Sequence, residues 1–293
     1  MHNYDVAIIG AGPAGIATAI QLKRYGLNPL VFEKGEIGGL LKNANLVENY
    51  IGFPEGISGK ELVKLFQKQF ENNQINIIYE DVQKVEYKDF LFEITTNKGI
   101  MTFKKLVIAT GTKPKKISLE KDSNKIFYEI SQIFNTRNKK IAIIGGGDAA
   151  FDYGLSLSVH NSVVILNRST RIKCLKALFN KCKDKENLKY ISKIKLKEIQ
   201  EHNDGLSLIC DYDNITRELY ADYLLIAVGR EPMLDFLSDN IKSRLDEFQK
   251  EKLIYLIGDV KNKDYRQTAI STGDGIRAAM EIFDKISQEN AKE

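Results

Sequence analysis

The sequence predicts an α/β protein built from two open, parallel-sheet units, one of them interrupted by the other. Three observations carry this. A buried-strand run, a glycine cluster and a helical pattern succeed one another near the N-terminus; the same succession returns at Lys140; and each is closed by a further apolar run that ends in glycine. At 293 residues the chain exceeds one ordinary hydrophobic core, and apolar residues at 43% suffice to fill two.

The first succession opens with Tyr4-Asp5-Val6-Ala7-Ile8-Ile9, an almost wholly apolar run of the kind found in a parallel strand covered on both faces. Gly10-Ala11-Gly12-Pro13-Ala14-Gly15 follows at once, then an amphipathic pattern to Tyr25 and a second strand from Pro29 to Phe32 that ends at Glu33. Gly10 permits the tight turn, Gly12 lets backbone approach a pyrophosphate, and Gly15 lets the helix lie against the strand. The N-terminus of that helix offers unpaired N–H groups and the positive end of its dipole to phosphate. Glu33, 23 residues after Gly10, stands where a carboxylate accepts hydrogen bonds from a ribose. Strand, glycine turn, helix and acid together describe a Rossmann-like dinucleotide-binding unit.

The second succession is Lys140-Ile141-Ala142-Ile143-Ile144 followed by Gly145-Gly146-Gly147-Asp148-Ala149-Ala150. Gly145 and Gly147 are its turn glycines, and Ala150 replaces the third glycine at the helix–strand contact. The next strand, Val163 to Leu166, ends in Asn167-Arg168, with Arg171 and Lys173 close behind and no acid to hold a ribose diol. Cations there suit a ribose carrying a 2′-phosphate, so NADPH is expected in preference to NADH; ordinary solvated cations past a strand end are the plain alternative. Leu106-Val107-Ile108-Ala109-Thr110-Gly111 closes the first unit, and Leu225-Ile226-Ala227-Val228-Gly229-Arg230 closes the second. Leu253-Ile254-Tyr255-Leu256-Ile257 then runs into Gly258-Asp259, where a carboxylate at a strand end is placed to hydrogen-bond a ribityl chain. Only a flavin has one, so FAD is expected in the first unit and the nicotinamide cofactor in the second.

With these pieces in place the chain resembles, over nearly its whole length, the low-molecular-weight thioredoxin reductases and their ferredoxin–NADP reductase relatives. Val47-Glu48-Asn49-Tyr50-Ile51-Gly52-Phe53-Pro54 is similar to their segment that passes the flavin, and Tyr265-Arg266-Gln267 to the residues before their last helix. For FAD the resemblance implies contacts at Lys34, Gly39, Leu40, Asn49, Val82, Ala109, Thr110, Gly111, Arg266, Gln267 and Thr268, beside the glycine turn, Glu33, Gly258 and Asp259. For NADPH it implies Gly229 beside Gly145, Gly147, Asp148, Ala149, Asn167, Arg168, Arg171 and Lys173. It further implies hydride transfer from NADPH to flavin, a last helix opening near Thr268 or Ala269 with its positive end toward the flavin, hinges near 112–116 and 229–233, and a homodimer. The flavin carries the chemistry; no side chain is expected as acid or base, and no metal is expected.

Two departures bear on the acceptor. Thioredoxin reductases carry a Cys-x-x-Cys shortly before the second glycine motif, where this chain reads Lys125-Ile126-Phe127-Tyr128-Glu129-Ile130-Ser131. Cys174 and Cys182 lie eight residues apart in a stretch of helical character, which would separate them by roughly 12 Å. A disulfide tolerates about 7 Å between Cα atoms, and Cys210 looks like a packed small hydrophobe, so a dithiol mechanism is not expected. On the other side, ferredoxin–NADP reductases of this type carry an aromatic C-terminal extension, whereas this chain reaches Glu293 soon after the last helix. Their Arg-Arg pair reads Arg168-Ser169 here, and a Gln that contacts their flavin is replaced by Leu40.

The expected organisation is an FAD-binding domain from residues 1–114 and 232–293, with an NAD(P)H-binding domain, residues 115–231, inserted into it. A net charge of +4 is too mild for nucleic acid to be the default partner. From residue 181 to residue 197, however, seven Lys face only Asp184 and Glu186, a solvated face or else a landing surface for a small acidic redox protein. Ferredoxin is the partner this reading expects, with a thioredoxin-like protein, dioxygen or a regulatory role without turnover as alternatives. The apolar stretch from Val6 to Ile20 is broken by Gly10, Gly12, Pro13 and Gly15 and is too short for a span, and three Cys suit a reducing compartment. A cytoplasmic protein without a membrane partner is expected.

Overall fold

The computed structural model describes residues 4–119 and 123–291. The chain divides into two compact units, Met1–Lys113 with Glu231–Glu293, and Pro114–Arg230.

In the first unit Val6–Ile9 is the central strand of a parallel sheet in the order Ile254–Leu256, Leu106–Ile108, Val6–Ile9, Pro29–Glu33, Asn76–Tyr79. All four residues of the central strand are buried, which is why the run shows no polar alternation. Its side chains leave on alternate faces into two cores. Val6 and Ile8 join Val31, Val107 and Tyr255 beneath the helices Pro13–Arg24, Gly59–Asn72 and Thr268–Asn290. Ala7 and Ile9 join Leu30, Phe32 and Ile108 against Phe92, Ile94 and Phe103 of an antiparallel sheet, Lys84–Lys88, Leu91–Thr96 and Gly99–Phe103. Ser58 caps the helix Gly59–Asn72, its Oγ accepting from Glu61 N at 3.2 Å.

The second unit repeats the plan. Its parallel sheet runs Leu188–Ile191, Ser162–Leu166, Lys140–Ile144, Tyr223–Ile226, Ile126–Phe127. The helices Asp148–Ser158 and Lys176–Lys183 share one core with one face of this sheet, and the antiparallel sheet Ile194–Glu201, Leu206–Tyr212, Ile215–Ala221 shares a second core with the other. In each unit the antiparallel sheet lies in the chain between one edge strand, Asn76–Tyr79 or Leu188–Ile191, and the strand on the far side of the central one, Leu106–Ile108 or Tyr223–Ile226. The fifth strand comes last in the first unit and first in the second, so the two are related by a cyclic permutation of one α/β design. Both are Rossmann-like. Among the described residues no helix is long and apolar enough to cross a membrane.

The cysteine geometry differs from expectation in one respect. The helix begins at Lys176, so Cys174 lies outside it, and the rise along a single helix is not what separates Cys174 from Cys182. Leu175 is the N-cap of that helix, and its ψ of 136° is not helical, so the helix starts only after it. All three cysteines are free thiols.

Candidate functional site

The first glycine turn is shaped by what surrounds it. Gly10 has φ +104°, and a Cβ there would lie 2.5 Å from the carbonyl oxygen of Ala109, so only glycine lets the chain turn against the neighbouring strand. A Cβ on Gly15 would lie 1.9 Å from the Gly10 carbonyl oxygen, which is the close helix–strand approach. Gly12 is different. Its φ of −75° suits any residue and nothing lies within 4 Å of where its Cβ would be. The protein leaves that space open at the N-terminus of a helix with no side-chain cap, an arrangement that fits an anion such as pyrophosphate.

Glu33 closes the turn. Its Oε2 accepts from Ala11 N at 2.7 Å and its Oε1 from Gly35 N at 2.8 Å, which ties the glycine loop to the strand end and leaves one lone-pair direction on each oxygen for a ligand hydroxyl. Beside it opens a cleft that brings Gly10, Glu33, Lys34, Val82 and Thr110 together with the apolar Ile9 and Phe32. Met233 completes this wall: its carbonyl accepts from Thr110 Oγ1 at 2.7 Å, its sulfur lies 3.5 Å from Lys34 Nζ, and its N donates to Gly111 O. No sequence signal marked Met233, whose place depends on the chain returning from the second unit. Ala14 is buried beneath the last helix, and Gly39 approaches Gly12, a Cβ there lying 3.4 Å from Gly12 Cα. Leu40, beside Gly39, is 37% exposed.

The sequence-distant FAD candidates also meet one another. Asn49 Nδ2 donates to Gln267 Oε1 at 2.9 Å, joining the 48–54 loop to the entry of the last helix, which begins at Thr268. Tyr50 packs on Phe53 and on Phe66 of the helix Gly59–Asn72, with ring centroids 6.3 and 5.7 Å away, so its ring joins the edge of the first unit's core. Arg266, just before Gln267, is half-buried. Gly258 and Asp259 form the turn Gly258–Val260 at the end of the strand Ile254–Leu256, and Asp259 Oδ1 accepts from Ser271 Oγ at 3.3 Å.

The second glycine turn follows the first. A Cβ on Gly145 would lie 2.5 Å from Ala227 O, as Gly10 faces Ala109 O, and nothing lies within 4 Å of the Gly147 Cβ direction, as at Gly12. Ala150 takes the place of Gly15, and its Cβ packs against the turn, 2.9 Å from where a Cβ on Gly145 would lie. Asn167 is buried. Its amide donates to Arg171 O at 3.2 Å and to Tyr190 Oη at 3.0 Å, and its Oδ1 accepts from Ser169 N at 3.1 Å. It therefore shapes the loop it begins. Lys173 N donates to Gly146 O and Leu175 N to Asp148 Oδ1, each at 2.8 Å, so this loop folds back along the glycine turn. Arg168, Arg171 and Lys173 are exposed on it, Ala149 is exposed on the first helical turn, and Gly229 has φ +115° past the neighbouring strand.

The thiols are poor nucleophiles. Burial holds Cys182 up to about 12, with Cys174 and Asp152 adding to the effect, and burial alone holds Cys210 up to about 11. Cys174 is also raised, by burial and then by Asp148. The seven lysines of 181–197 are exposed, along the edge strand Leu188–Ile191 and its neighbours.

The fold defines an α/β protein of two Rossmann-like units, each with a glycine turn that leaves space open at an uncapped helix N-terminus. Residues 4–275 match the pyridine nucleotide-disulphide oxidoreductase family. The chain is 30% identical to thioredoxin reductase of Treponema pallidum, over 94% of this chain and 95% of that one. Its fold matches the crystal structure of Lactococcus lactis thioredoxin reductase with a TM-score of 0.88 at 26% identity, covering 98% of this chain and all of the other. The thioredoxin reductase of T. acidophilum matches with a TM-score of 0.83 at 26% identity, over 97% and 99% of the two chains. The chain belongs to the pyridine nucleotide-disulphide oxidoreductase family, in its low-molecular-weight thioredoxin reductase type. One departure is plain in the sequence: its three cysteines, Cys174, Cys182 and Cys210, nowhere form a Cys-x-x-Cys.

Proposed function

We propose that the chain is an FAD-dependent NADPH oxidoreductase that hands electrons to an external acceptor without a dithiol of its own. The observation that carries this reading is the pair of open spaces at Gly12 and Gly147, each at a helix N-terminus, beside a cysteine set with no paired thiols. When bound, the flavin supplies the redox chemistry, accepting hydride from the nicotinamide and releasing electrons to the acceptor. In the first unit Gly10–Gly15 seats the FAD pyrophosphate, and Glu33 accepts ribose hydroxyls at the rim of the cleft lined by Val82 and Thr110. Asp259 accepts from the ribityl chain, and the N-terminus of Thr268–Asn290 turns its positive end toward the flavin ring. In the inserted unit Gly145–Asp148 seats the NADPH pyrophosphate, while Arg168, Arg171 and Lys173 meet the 2′-phosphate and favour NADPH over NADH.

A small acidic electron carrier of the ferredoxin type is the acceptor this reading favours, since the lysines of 181–197 complement it and no thiol relay is needed. A disulfide protein is the second reading, supported by relatives whose name is thioredoxin reductase. Anaerobic mixing separates them. NADPH should bleach the flavin absorption faster than NADH does, and ferredoxin should reoxidise it while a disulfide protein does not. Purified protein that is colourless and takes up no FAD would sink both.

A further inference from the structure

We propose that Asp274, a residue outside both glycine motifs, positions the turn Gly258–Val260 and so aims Asp259 at the flavin; the inference rests on the flavin reading above. Asp274 lies in the second turn of the helix Thr268–Asn290. Its Oδ2 accepts from Gly258 N at 3.1 Å and from Asn262 Nδ2 at 2.6 Å. The donors flank the turn, so its entry and its exit converge on one carboxylate oxygen. One helical turn earlier, on the same face, Ser271 Oγ donates to Asp259 Oδ1. Two side chains of one helix thus hold both the backbone of the turn and the carboxylate it presents.

The base from which Asp274 acts is itself rigid. Its neighbour Gly275 brings the last helix onto the first: a Cβ there would lie 2.3 Å from Ala14 O, and Thr18 Oγ1 donates to both Ala14 O and Gly275 O, at 2.9 and 3.1 Å. Gly258 has φ +70°, and a Cβ on it would lie 2.9 Å from Ala14 Cβ and 3.3 Å from Ser271 Oγ. The helix that follows the first glycine motif, the last helix and the turn therefore meet at one point, and the Asp274 carboxylate locks the turn to that point. A carboxylate suits the task because an ionised acceptor with two lone pairs on one oxygen holds two donors more strongly than a neutral group. If the turn were loose, flavin binding would have to order it, at a cost in affinity.

The test uses the full chain stripped of flavin, titrated with FAD by quenching of flavin fluorescence, with the melting temperature of each apoprotein measured alongside. Asp274→Ala should weaken FAD binding roughly tenfold or more, since it removes a charged acceptor from a half-buried N–H. Asp274→Asn keeps an acceptor for both donors and should recover most of that loss, whereas Asn262→Ala should stay within about threefold of wild type. Wild-type affinity in Asp274→Ala overturns the proposal. So does equal weakening by Ala and Asn in step with lower apoprotein melting temperatures, which would mark a helix-stability effect. A wild-type protein that takes up no FAD overturns the flavin reading itself, a result separate from any difference among the variants.

Discussion

Replacing Gly12 or Gly147 with Ala separates what the fold needs from what a ligand needs. Both residues are helix N-caps in extended conformations, with φ and ψ of −75° and −178° at Gly12 and of −107° and 178° at Gly147. Neither Cβ would meet an atom within 4 Å. Removing the backbone freedom of an unfolded glycine favours the folded state by about 0.4–1 kcal/mol. Alanine is a poorer N-cap than glycine by about 0.5–1 kcal/mol. The two terms cancel, and because about 1 kcal/mol corresponds to only about 2–4 °C in a protein of this size, each apoprotein should melt within a few degrees of wild type. Ligand affinity should behave otherwise. A methyl group in the space where N–H groups meet pyrophosphate removes at least one charge-assisted hydrogen bond, so binding should weaken roughly 10- to 100-fold. Gly12→Ala should lose FAD, and Gly147→Ala should keep FAD but lose NADPH. Gly15→Ala is the contrast: its Cβ would lie 1.9 Å from the Gly10 carbonyl, and overpacking of about 3 kcal/mol should lower the melting temperature of the apoprotein itself. Calorimetry of the apoproteins together with FAD and NADPH titrations reads all three. If Gly12→Ala melts as low as Gly15→Ala, or if the Gly12 and Gly147 variants bind both dinucleotides normally, these turns do not seat phosphates and the reasoning fails.

Replacing Arg171 and Lys173 with Ala should raise the KM for NADPH about 10-fold or more and leave that for NADH unchanged, because only NADPH carries the 2′-phosphate they would meet. Changing Lys181, Lys185 and Lys189 to Glu should slow reduction of ferredoxin at low ionic strength and have little effect at high salt, where screening removes the attraction; unchanged stopped-flow rates at low salt would exclude this surface as the docking site. The buried thiols set an alkaline limit. Their folded-state pKa values lie above the ordinary thiol value of about 8.5, so they stabilise the fold while protonated and lose that contribution as pH rises past it toward about 11–12. Melting temperatures recorded from pH 8 to 11 should therefore fall less steeply for Cys210→Ala than for wild type, and iodoacetamide at pH 8 should label Cys174 before Cys182 or Cys210.

Much of the architecture was legible because its signals are local. An unbroken apolar run such as Val6–Ile9 requires cover on both faces, which only a sheet between two layers supplies. The glycine turns are as readable, since strand, turn and helix lie within about two dozen residues of one another. The antiparallel sheets are not announced by the sequence in the same way. Lys84–Lys88 has the burial pattern of a half-exposed strand, but with only Val85 fully buried its five residues carry little of the alternation that would announce it. Cys174 was placed on a helix because its neighbours have helical character, and the non-helical backbone at Leu175 decided otherwise.

By itself, then, the chain's order of residues determined two strand–glycine-turn–helix units, the acid after the first and the cations after the second, because each depends on contacts between near neighbours. Tertiary structure alone decided which distant groups meet around them. Asp274 meets Gly258 across 16 residues, Asn49 meets Gln267 across 218, and Met233 returns from beyond the second unit to close the wall beside Thr110. A hydrogen bond is specific only at about 3 Å, and no pattern of spacing along a chain fixes a distance that short between segments brought together by packing.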